Sequence, residues 1–400
     1  MTQQSSSASP SPGAQDALRL NSQALQAIAG RRFAEAGGML RTAIGLDPML
    51  LPARLNLATA QRMEGDLAGA LATVDDALRI EPLAFRALLM RASLQEAMGR
   101  RRSAAVAYGN ALTQVPGEDH LDENTRRAIA HAQEFRARNF AEMDDFLTRH
   151  AGTPGNSASV EGRRMAGFAD HLTGKRKRYQ SEPTHFFYPG LPSIEFFDRG
   201  DFPWVPEVEA ASDDIRAELT AVLDDQVASA DLEPYMQRSD TEPLEQWTEL
   251  NKSLKWSAYH FSIYGRQFTK HRERCPKTAA LLDRMPQPDI QNRCPAALYS
   301  ILEPHTHIPA HNGVANFRLL CHLPLILPGN CRFRVGSSIR EWKMGEAFVF
   351  DDSIEHEAWN DSDHRRAVFI FDIWHPMLSD DERDYIRRSL TAIDAFNAQA

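Results

Sequence analysis

The sequence is poor in cysteine and contains no apolar run long enough to cross a bilayer. Its four cysteines lack the paired spacing typical of a zinc site and are too few for a disulfide framework, so we expect reduced thiols at Cys275, Cys294, Cys321 and Cys331. The first residues, MTQQSSSASPSPG, lack the basic-then-apolar order of a secretory signal and indicate a disordered tail over residues 1–14. These absences predict a cytoplasmic protein with no membrane span.

Positive charge is also in deficit. Lys and Arg total 45 against 54 Asp and Glu, and the net charge of −9 gives no general attraction to nucleic acid. The basic run at residues 175–178 is a candidate polyanion patch, but four charges in a linker are more often solvated, and we expect a solvated linker. A length of 400 residues predicts two or three domains with ample material for a core.

What the sequence does contain is an internal repeat over residues 15–120. Pro48, Pro82 and Pro116 stand at intervals of 34 residues, and alanines keep the same register (Ala43, Ala77 and Ala111; Ala36, Ala70 and Ala104). A 34-residue period, with small residues where two helices touch and proline after the second helix, is typical of tetratricopeptide repeats. About three units are predicted to stack into an all-α solenoid with a concave groove. We expect the groove to hold a peptide or protein partner; the alternative is that the repeats dimerise or brace the rest of the chain.

The remainder of the chain changes character twice. Residues 121–180 are strongly charged with helical spacing and are predicted to be a helical connector. Residues 181–400 contain short β-rich runs separated by turns, such as CHLPLIL, EAFVFDD and RAVFIFDIW. Their lengths suit a double-stranded β-helix, that is, a jelly-roll or cupin-like domain. The predicted fold class is therefore α+β multidomain, a solenoid followed by a jelly roll.

Two helices are expected within this last domain. Residues 206–223 have apolar positions on one face and predict one amphipathic helix. The C-terminal helix should start at a capping box formed by Ser379 and Glu382. Its apolar stripe is predicted to comprise Tyr385, Ile386, Leu390, Ile393 and Phe396.

Two histidines mark the candidate site. His311 and His356 are 45 residues apart, and each adjoins a β-rich run. Neighbouring ends of antiparallel strands can bring such residues together, so the pattern indicates two ligands of one metal ion. Arg366 opens the next strand, where a guanidinium can take the far carboxylate of a small dicarboxylate as a bidentate pair.

The amino-acid sequence of this region resembles that of the aspartyl/asparaginyl β-hydroxylase family of iron(II)- and 2-oxoglutarate-dependent oxygenases. The similar segments are HTHIPAHNG, NFRLLCHL, FDDSIEHEAW and FDIWHP, in the expected order, with FFYPGLPS, WSAYHFSIYGR and CPKTAALLDRMP upstream. The resemblance covers about residues 183–380. It implies an enzyme that uses Fe(2+), 2-oxoglutarate and O2 to hydroxylate an unactivated C–H bond.

The resemblance implies that His311 and His356 are catalytic residues because they bind the iron. Most such oxygenases have a carboxylate ligand two residues after the first histidine, but this chain has Gly313 there, as the β-hydroxylase family does. Two protein ligands are therefore expected. Halogenases on the same fold also lack the carboxylate, so halogenation is a minor alternative. Other candidate ligands, all less favoured, are His305, His307, Asp351 and Asp352; the aspartates fit turn-forming or ligand-orienting roles better.

For 2-oxoglutarate, the resemblance implies a set of four residues. Arg366 would bind the distal carboxylate with Ser300 beside it, His322 would donate to the carboxylate nearer the iron, and Trp256 would wall the pocket. The structural alternatives are a surface strand charge for Arg366 and core positions for His322 and Trp256.

Arg318 is the candidate substrate-binding residue. It lies four residues before His322, and alternation along a strand places both side chains on one side. There it would pair with an acidic substrate group or form a surface ion pair. Animal members of the family carry a second arginine where this chain has Leu320, and two arginines hold an acidic side chain better than one. A less charged substrate is therefore an alternative.

Three functions follow as hypotheses. The preferred one is hydroxylation of a peptide or protein residue of the Asp/Asn type, recruited by the repeats. The second is hydroxylation of a small molecule or lipid head group. The third is a non-catalytic adaptor that kept the fold. The joint presence of the two histidines with Ser300, His322 and Arg366 argues against the adaptor.

Overall fold

The computed structural model describes residues 12–117, 121–153, 159–239 and 241–398, except for the side chain of Val160. Its contacts divide the chain into unit 1, Met1–Asn156 with Phe168–Gly174, and unit 2, Ser157–Gly167 with Lys175–Ala400. Most of the predicted disordered tail, residues 1–11, lies outside the described residues. The last three residues of that tail are helical, because the first helix begins at Pro12.

Unit 1 is built from helices in sequence. They are α1 (Pro12–Ala29), α2 (Phe33–Leu46), α3 (Leu51–Met63), α4 (Leu67–Ile80), α5 (Phe85–Ala97), α6 (Arg101–Leu112) and α7 (Glu123–Ala151); α8 (Val160–Leu172) follows. The second helices of successive pairs begin at residues 33, 67 and 101, so the 34-residue period of the sequence is also the period of the structure. The N-terminal helical region therefore has the repeat predicted for it.

Small residues explain how close these helices come. Ala36, Ala70 and Ala104 are completely buried where the two helices of a pair meet. Between the helices, Gly65 and Gly99 have φ values of 87° and 71°, a left-handed conformation that glycine adopts without steric cost. The repeated alanines and glycines thus set both the packing distance and the turn.

Unit 2 contains two antiparallel sheets. Its strands are β1 (Glu233–Pro234), β2 (Trp256–Ile263), β3 (Arg266–Gln267), β4 (Ala297–Leu302), β5 (Thr306–His311), β6 (Arg318–Ile326), β7 (Cys331–Val335), β8 (Ser338–Glu341), β9 (Phe348–Phe350), β10 (His356–Asn360) and β11 (Arg366–Trp374). The larger sheet has the order β1-β2-β4-β11-β6-β9, with β3 paired to β2; the smaller sheet has the order β5-β10-β7-β8. One hydrophobic cluster takes residues from both sheets, including Val368 and Leu302 from the larger and Phe333 and Ala358 from the smaller. The two sheets therefore share an interior.

Helices cover the other face of the larger sheet. They are α9 (Val205–Ala210), α10 (Ser212–Asp224), α11 (Gln226–Ser229), α12 (Thr269–Arg274) and α13 (Pro276–Leu282). The single helix predicted over residues 206–223 is wrong, because the helix is interrupted at Ala211 and continues as α10. Its apolar face is buried as predicted at Val208, Ile215, Leu219 and Val222, against Phe369 and Phe371 of β11 among others.

The last helix, α14 (Asp380–Asn397), begins with the predicted capping box: the Ser379 hydroxyl accepts from the Glu382 amide, and the Glu382 carboxylate accepts from the Ser379 amide. The predicted apolar stripe is wrong in part. Ile386 and Leu390 are buried, but Tyr385, Ile393 and Phe396 are exposed. The apolar anchor of the helix consists of Ile386 and Leu390, in a cluster with Trp374 and Phe317. Polar contacts of Glu382 with Tyr188 and of Arg387 with Asp289 add to it. None of the described helices is long and apolar enough to cross a membrane.

Candidate functional site

The two predicted metal ligands lie side by side in the smaller sheet. β5 ends at His311 and the antiparallel strand β10 begins at His356, and the two residues are direct cross-strand partners. Their ring centroids are 4.1 Å apart. Antiparallel pairing thus joins two histidines that are far apart in the sequence.

Backbone carbonyls orient both rings in the same way. His311 Nδ1 lies 2.7 Å from the Pro309 carbonyl oxygen, and His356 Nδ1 lies 3.0 Å from the Ile354 carbonyl oxygen. With the proton on Nδ1 donated to a carbonyl, the Nε2 lone pair of each neutral imidazole is the one that could bind a metal ion. Burial keeps both rings neutral, since it lowers the pKa of His311 to about 3 and that of His356 to about 4.

The space next to Gly313 is filled by a carboxylate from another part of the chain. A Cβ on residue 313 would lie 2.1 Å from Asp352 Oδ2, so a side chain at this position would collide with Asp352. The Gly313 amide also donates to the Asp352 carbonyl, at 2.6 Å. The glycine therefore makes room for Asp352 beside the histidine pair.

The other candidate ligands have different roles. His305 and His307 are exposed and contact Asp363 and Glu357, respectively. Asp351 Oδ1 accepts from the Ser353 amide two residues later, which is a turn-forming contact. Across the described ranges, no group of three or more His, Cys, Asp or Glu side chains is arranged to hold a metal ion. The pair of histidines is thus not supplemented by a third such ligand in the part of the chain that is described.

The residues predicted to bind 2-oxoglutarate converge on the inner face of the larger sheet. Trp256 on β2, Leu302 on β4 and Arg366 on β11 form one cross-strand row. Ser300 lies in the adjacent row on the same face, and its hydroxyl accepts from Trp256 Nε1 at 3.1 Å. Strand register therefore places three side chains from three strands within one pocket wall.

Arg366 is a buried cation. Its side chain is 2% exposed, its guanidinium lies 4.6 Å above the centre of the Trp342 ring, and its Nε has no hydrogen-bond partner in the protein as described. Burial lowers the pKa of Arg366 to about 10. A buried guanidinium costs free energy unless an anion pairs with it, so a negatively charged ligand would stabilise Arg366 here.

His322 is buried, and neither of its ring nitrogens has a hydrogen-bond partner among the residues that the structure describes. Its ring is surrounded by Phe333, Phe348 and Phe350, with centroids 4.8 to 5.4 Å away. Burial holds its pKa well below the usual value. A buried imidazole with two unpaired nitrogens is destabilising in itself, and a ligand that accepts a hydrogen bond would offset that cost.

Arg318 is already paired inside the protein. Its Nη2 lies 3.2 Å from Asp352 Oδ2, and the two side chains are 11% and 4% exposed. The alternative of a surface ion pair is wrong in its location only: Arg318 does form an ion pair, but the pair is buried. The arginine predicted to bind an acidic substrate group has a carboxylate partner from its own chain.

Three aromatic residues near the site were not predicted from the sequence. The Trp247 ring meets His311 edge to face at 5.2 Å between centroids, and Tyr235 stacks on Trp256 at 3.9 Å. Trp342 lies under Arg366, and its own buried Nε1 has no hydrogen-bond partner within the described ranges. Trp247 and Tyr235 come from the irregular stretch between helix and sheet, where the sequence has no periodicity to indicate which side chains turn inward. For Trp342, which lies next to a turn, nothing in the local sequence predicts that its side chain faces the site.

The part of the chain that contains this site is similar to known proteins. The family model described as aspartyl/asparaginyl beta-hydroxylase matches residues 209–376. An ornithine lipid ester-linked acyl 2-hydroxylase of Rhizobium tropici is 32% identical over 202 residues, covering 50% of this chain and 67% of the relative. Human aspartyl/asparaginyl beta-hydroxylase is 38% identical over 145 residues, covering 36% of this chain and 18% of the human protein.

Unit 1 lies outside the residues that the family model matches. Among solved structures, the TPR domain of Arabidopsis OM64 is 19% identical and covers 30% of this chain and 98% of that domain, with a TM-score of 0.27. The rhizobial relative, in contrast, is matched over two thirds of its own length at more than 30% identity. This chain belongs to the aspartyl/asparaginyl β-hydroxylase family.

Proposed function

We propose that this protein is an iron(II)- and 2-oxoglutarate-dependent hydroxylase of an unactivated C–H bond. Membership of the family supports hydroxylation. The proposal includes the iron, the cosubstrate, a cytoplasmic location and a jelly-roll fold for unit 2. When bound, Fe(2+) with 2-oxoglutarate and O2 supplies the oxidant for a C–H bond, and the cosubstrate leaves as succinate and CO2.

The observation that carries the proposal is a set of buried polar atoms without partners. Arg366 Nε, both nitrogens of His322 and Trp342 Nε1 all lack hydrogen bonds within the described protein. Such atoms are rare in folded proteins because each costs free energy. A small dicarboxylate would satisfy them: one carboxylate paired with Arg366, and the other accepting from His322.

The residues of this chain would divide the work as follows. His311 and His356 hold the metal ion through Nε2, and the carbonyls of Pro309 and Ile354 keep the rings in that orientation. Trp256 orients the Ser300 hydroxyl beside the distal carboxylate. The aromatic wall around His322 excludes water, which strengthens every polar contact inside the pocket.

Two substrate classes are open to such an enzyme. An Asp- or Asn-type residue of a peptide is the substrate predicted first, and the human relative's name supports it. A small molecule or a lipid head group is the second predicted class. The name of the rhizobial relative, an ornithine lipid ester-linked acyl 2-hydroxylase, supports a lipid substrate but gives the acyl part and not the head group as the site of hydroxylation. Halogenation is less favoured, because the Asp352 carboxylate already fills the space beside Gly313.

The test of the cosubstrate site measures, by calorimetry and without oxygen, the binding of 2-oxoglutarate to the full chain loaded with Fe(2+). We expect saturable binding that His356→Ala and Arg366→Met both abolish. The matched controls are His307→Ala and Arg365→Met. His307 is exposed on β5, the strand paired with that of His356, and Arg365 is the exposed residue directly before Arg366. Absence of binding in the folded, metal-loaded protein would instead favour the adaptor hypothesis.

For unit 1, we propose that the repeats bind a peptide or protein partner. Their first helices expose apolar side chains, including Leu18 and Leu25 on α1 and Met63 on α3. Exposed apolar positions in stacked repeats are suited to a partner surface. Leu25→Glu should weaken binding to peptides selected from a display library on the wild-type chain. If the repeats serve self-association instead, the same variant will lower the oligomeric state measured by light scattering.

A further inference from the structure

We infer that residues 181–186, called here the clamp segment, fix the separation of His311 and His356 from outside the sheet. Asn312 and Pro183 are positioning residues for the metal ion in this arrangement. They act through the backbone that carries the two histidines and do not touch the ion themselves. This inference rests on the metal site of the proposed function and adds to it the part of the chain that holds the ligands in place.

The histidine pair lies where strand pairing gives it little support. β5, which ends at His311, is an edge strand of the smaller sheet, and its pairing with β10 stops at His311 and His356. The register of this ladder is already irregular between His356 and Ala358. Ligands must be held to within about 0.5 Å to bind a metal ion well. Contacts beyond the ladder therefore decide how well the pair is preorganised.

Two hydrogen bonds join the segment after the first histidine directly to the segment before the second. Asn312 Nδ2 donates to the Ser353 carbonyl oxygen at 2.8 Å, and the Gly313 amide donates to the Asp352 carbonyl oxygen at 2.6 Å. Asn312 directly follows the first histidine, and Ser353 lies three residues before the second. The Asn312 amide thus links the two histidine-bearing segments next to the site.

The clamp segment contacts both of these segments through its backbone. The Glu182 amide donates to the Ser353 carbonyl oxygen at 2.8 Å, and the Thr184 amide donates to the Gly313 carbonyl oxygen at 2.9 Å. Pro183 stands between these two donors, and its ring fixes its φ at about −65°. A short piece of chain with one backbone rotation frozen therefore spans the two histidine-bearing segments.

The clamp segment is itself held at both ends. At its start, the Ser181 amide donates to the Ser193 hydroxyl at 2.9 Å, and the Ser181 hydroxyl lies 2.6 Å from that of Ser353. At its end, the Phe186 amide donates to the Val314 carbonyl oxygen at 2.9 Å. A segment fixed at both ends can hold its neighbours at a set distance, whereas a loose one would follow their movements.

The first test compares two proline substitutions in the full chain. Pro183→Gly frees the backbone between the two donors but leaves every hydrogen bond possible, and it should weaken Mn(2+) binding by about two- to fivefold. Pro192→Gly is the matched control, because Pro192 is also partly buried but lies outside the clamp segment. Electron paramagnetic resonance measures the free Mn(2+). Equal affinities of the two variants would overturn the inference.

The second test removes the amide of Asn312. Asn312→Leu has a similar size but no donor for the Ser353 carbonyl, and Mn(2+) affinity should fall by about 10- to 100-fold, as when other groups that orient metal ligands are lost. Asn312→Gln keeps the amide and should restore part of the affinity. Urea denaturation of the metal-free variants measures their stability separately. A loss of affinity that glutamine does not reduce, or that only follows the fraction of unfolded protein, would contradict the positioning role.

Hydrogen exchange gives a third readout, which a role in stability alone would not change. If the clamp segment favours metal binding, bound metal must stabilise the clamp segment by the same free energy. Saturating Mn(2+) should therefore slow exchange of the Glu182 and Thr184 amides in the wild-type chain. The control is the Gly345 amide, which donates to the Pro324 carbonyl in a turn elsewhere in unit 2. Equal changes at all three amides would contradict the inference.

Mn(2+) binding to the wild-type chain distinguishes failure of the inference from failure of the proposed function. If the wild-type chain binds Mn(2+) and Pro183→Gly and Asn312→Leu bind it equally well, the clamp is refuted while the proposed metal site stands. If the folded wild-type chain binds no Mn(2+), the proposed metal site fails and the clamp fails with it.

Discussion

Gly313 and Asp352 show how the absence of one side chain can determine what lies beside the two histidines. The glycine has no Cβ, and the carboxylate of Asp352 lies where that atom would be. Asp352 in turn pairs with Arg318. One position without a side chain therefore lets an ion pair from other segments lie next to the two histidines.

Gly313→Ala should accordingly disturb both stability and metal binding. Its Cβ would lie 2.1 Å from Asp352 Oδ2, so the buried carboxylate must move and its contact with Arg318 is strained or lost. We expect a loss of about 1–3 kcal/mol in the free energy of unfolding, as for other overpacked interior sites. Urea denaturation and Mn(2+) titration measure the two effects.

The control for this variant is Gly200→Ala. Gly200 has no atom within 4 Å of the position that a Cβ would take, and its φ is not in the left-handed region. If Gly313→Ala is as stable and binds Mn(2+) as tightly as Gly200→Ala, Asp352 does not require the space that the glycine leaves.

At the scale of elements, α14 depends on its first turn. The capping box at Ser379 and Glu382 satisfies backbone amides that have no partner within the helix, while only Ile386 and Leu390 of the predicted stripe are buried. Ser379→Ala should therefore lower the free energy of unfolding by about 1 kcal/mol. Ser389→Ala, in the middle of the same helix, should change it little. Equal effects of the two substitutions in urea denaturation would show that the cap contributes nothing.

In the repeats, the two helices of a pair pack closely because alanines lie between them. Ala70 is completely buried between α3 and α4, and a larger side chain would push the helices apart. Ala70→Leu should destabilise unit 1 by about 1–3 kcal/mol, measured by circular dichroism at the helical band during urea denaturation. Ala72→Leu is the control, since Ala72 is exposed on the same helix. Similar stability of the two variants would contradict the packing argument.

At the scale of the whole molecule, the tryptophans separate the two units experimentally. All six tryptophans lie beyond residue 200, in unit 2, whereas unit 1 is helical. Tryptophan fluorescence therefore follows unit 2, and the helical circular dichroism band contains the signal of unit 1. Each unit has hydrophobic clusters of its own, so the unfolding of each can be followed separately.

Ligand linkage should appear in the fluorescence signal. A ligand that binds only the folded state stabilises it, by about 2.7 kcal/mol when its concentration is about 100 times Kd. Mn(2+) with 2-oxoglutarate should therefore raise the melting temperature seen by tryptophan fluorescence, and a chelator should reverse the increase. His356→Ala should remove the effect, and His307→Ala should preserve it. An increase that persists in His356→Ala would place the metal elsewhere.

The sequence by itself determined the features that depend on local spacing. The 34-residue period predicts the helix pairs, alternation along β6 places Arg318 and His322 on one side, and the Ser379 box predicts the start of α14. Each of these follows from a repeat length or from strand and helix geometry, which act over a few residues or a regular interval. The resemblance to a family indicated which residues form the site. The structure brings His311 beside His356 and Trp256 beside Ser300. The roles of these residues in binding stay predictions.

Only the tertiary structure decided which group each side chain meets. Neither the contact of Asp352 with Gly313 nor its pairing with Arg318 can be inferred from spacing, because these residues are joined by the pairing of distant strands. The break at Ala211 and the exposure of Phe396 are of the same kind, since an apolar periodicity predicts a face but not how much of it finds a surface to cover. Burial and partners are properties of the packed chain, and the chemistry of this site depends on both.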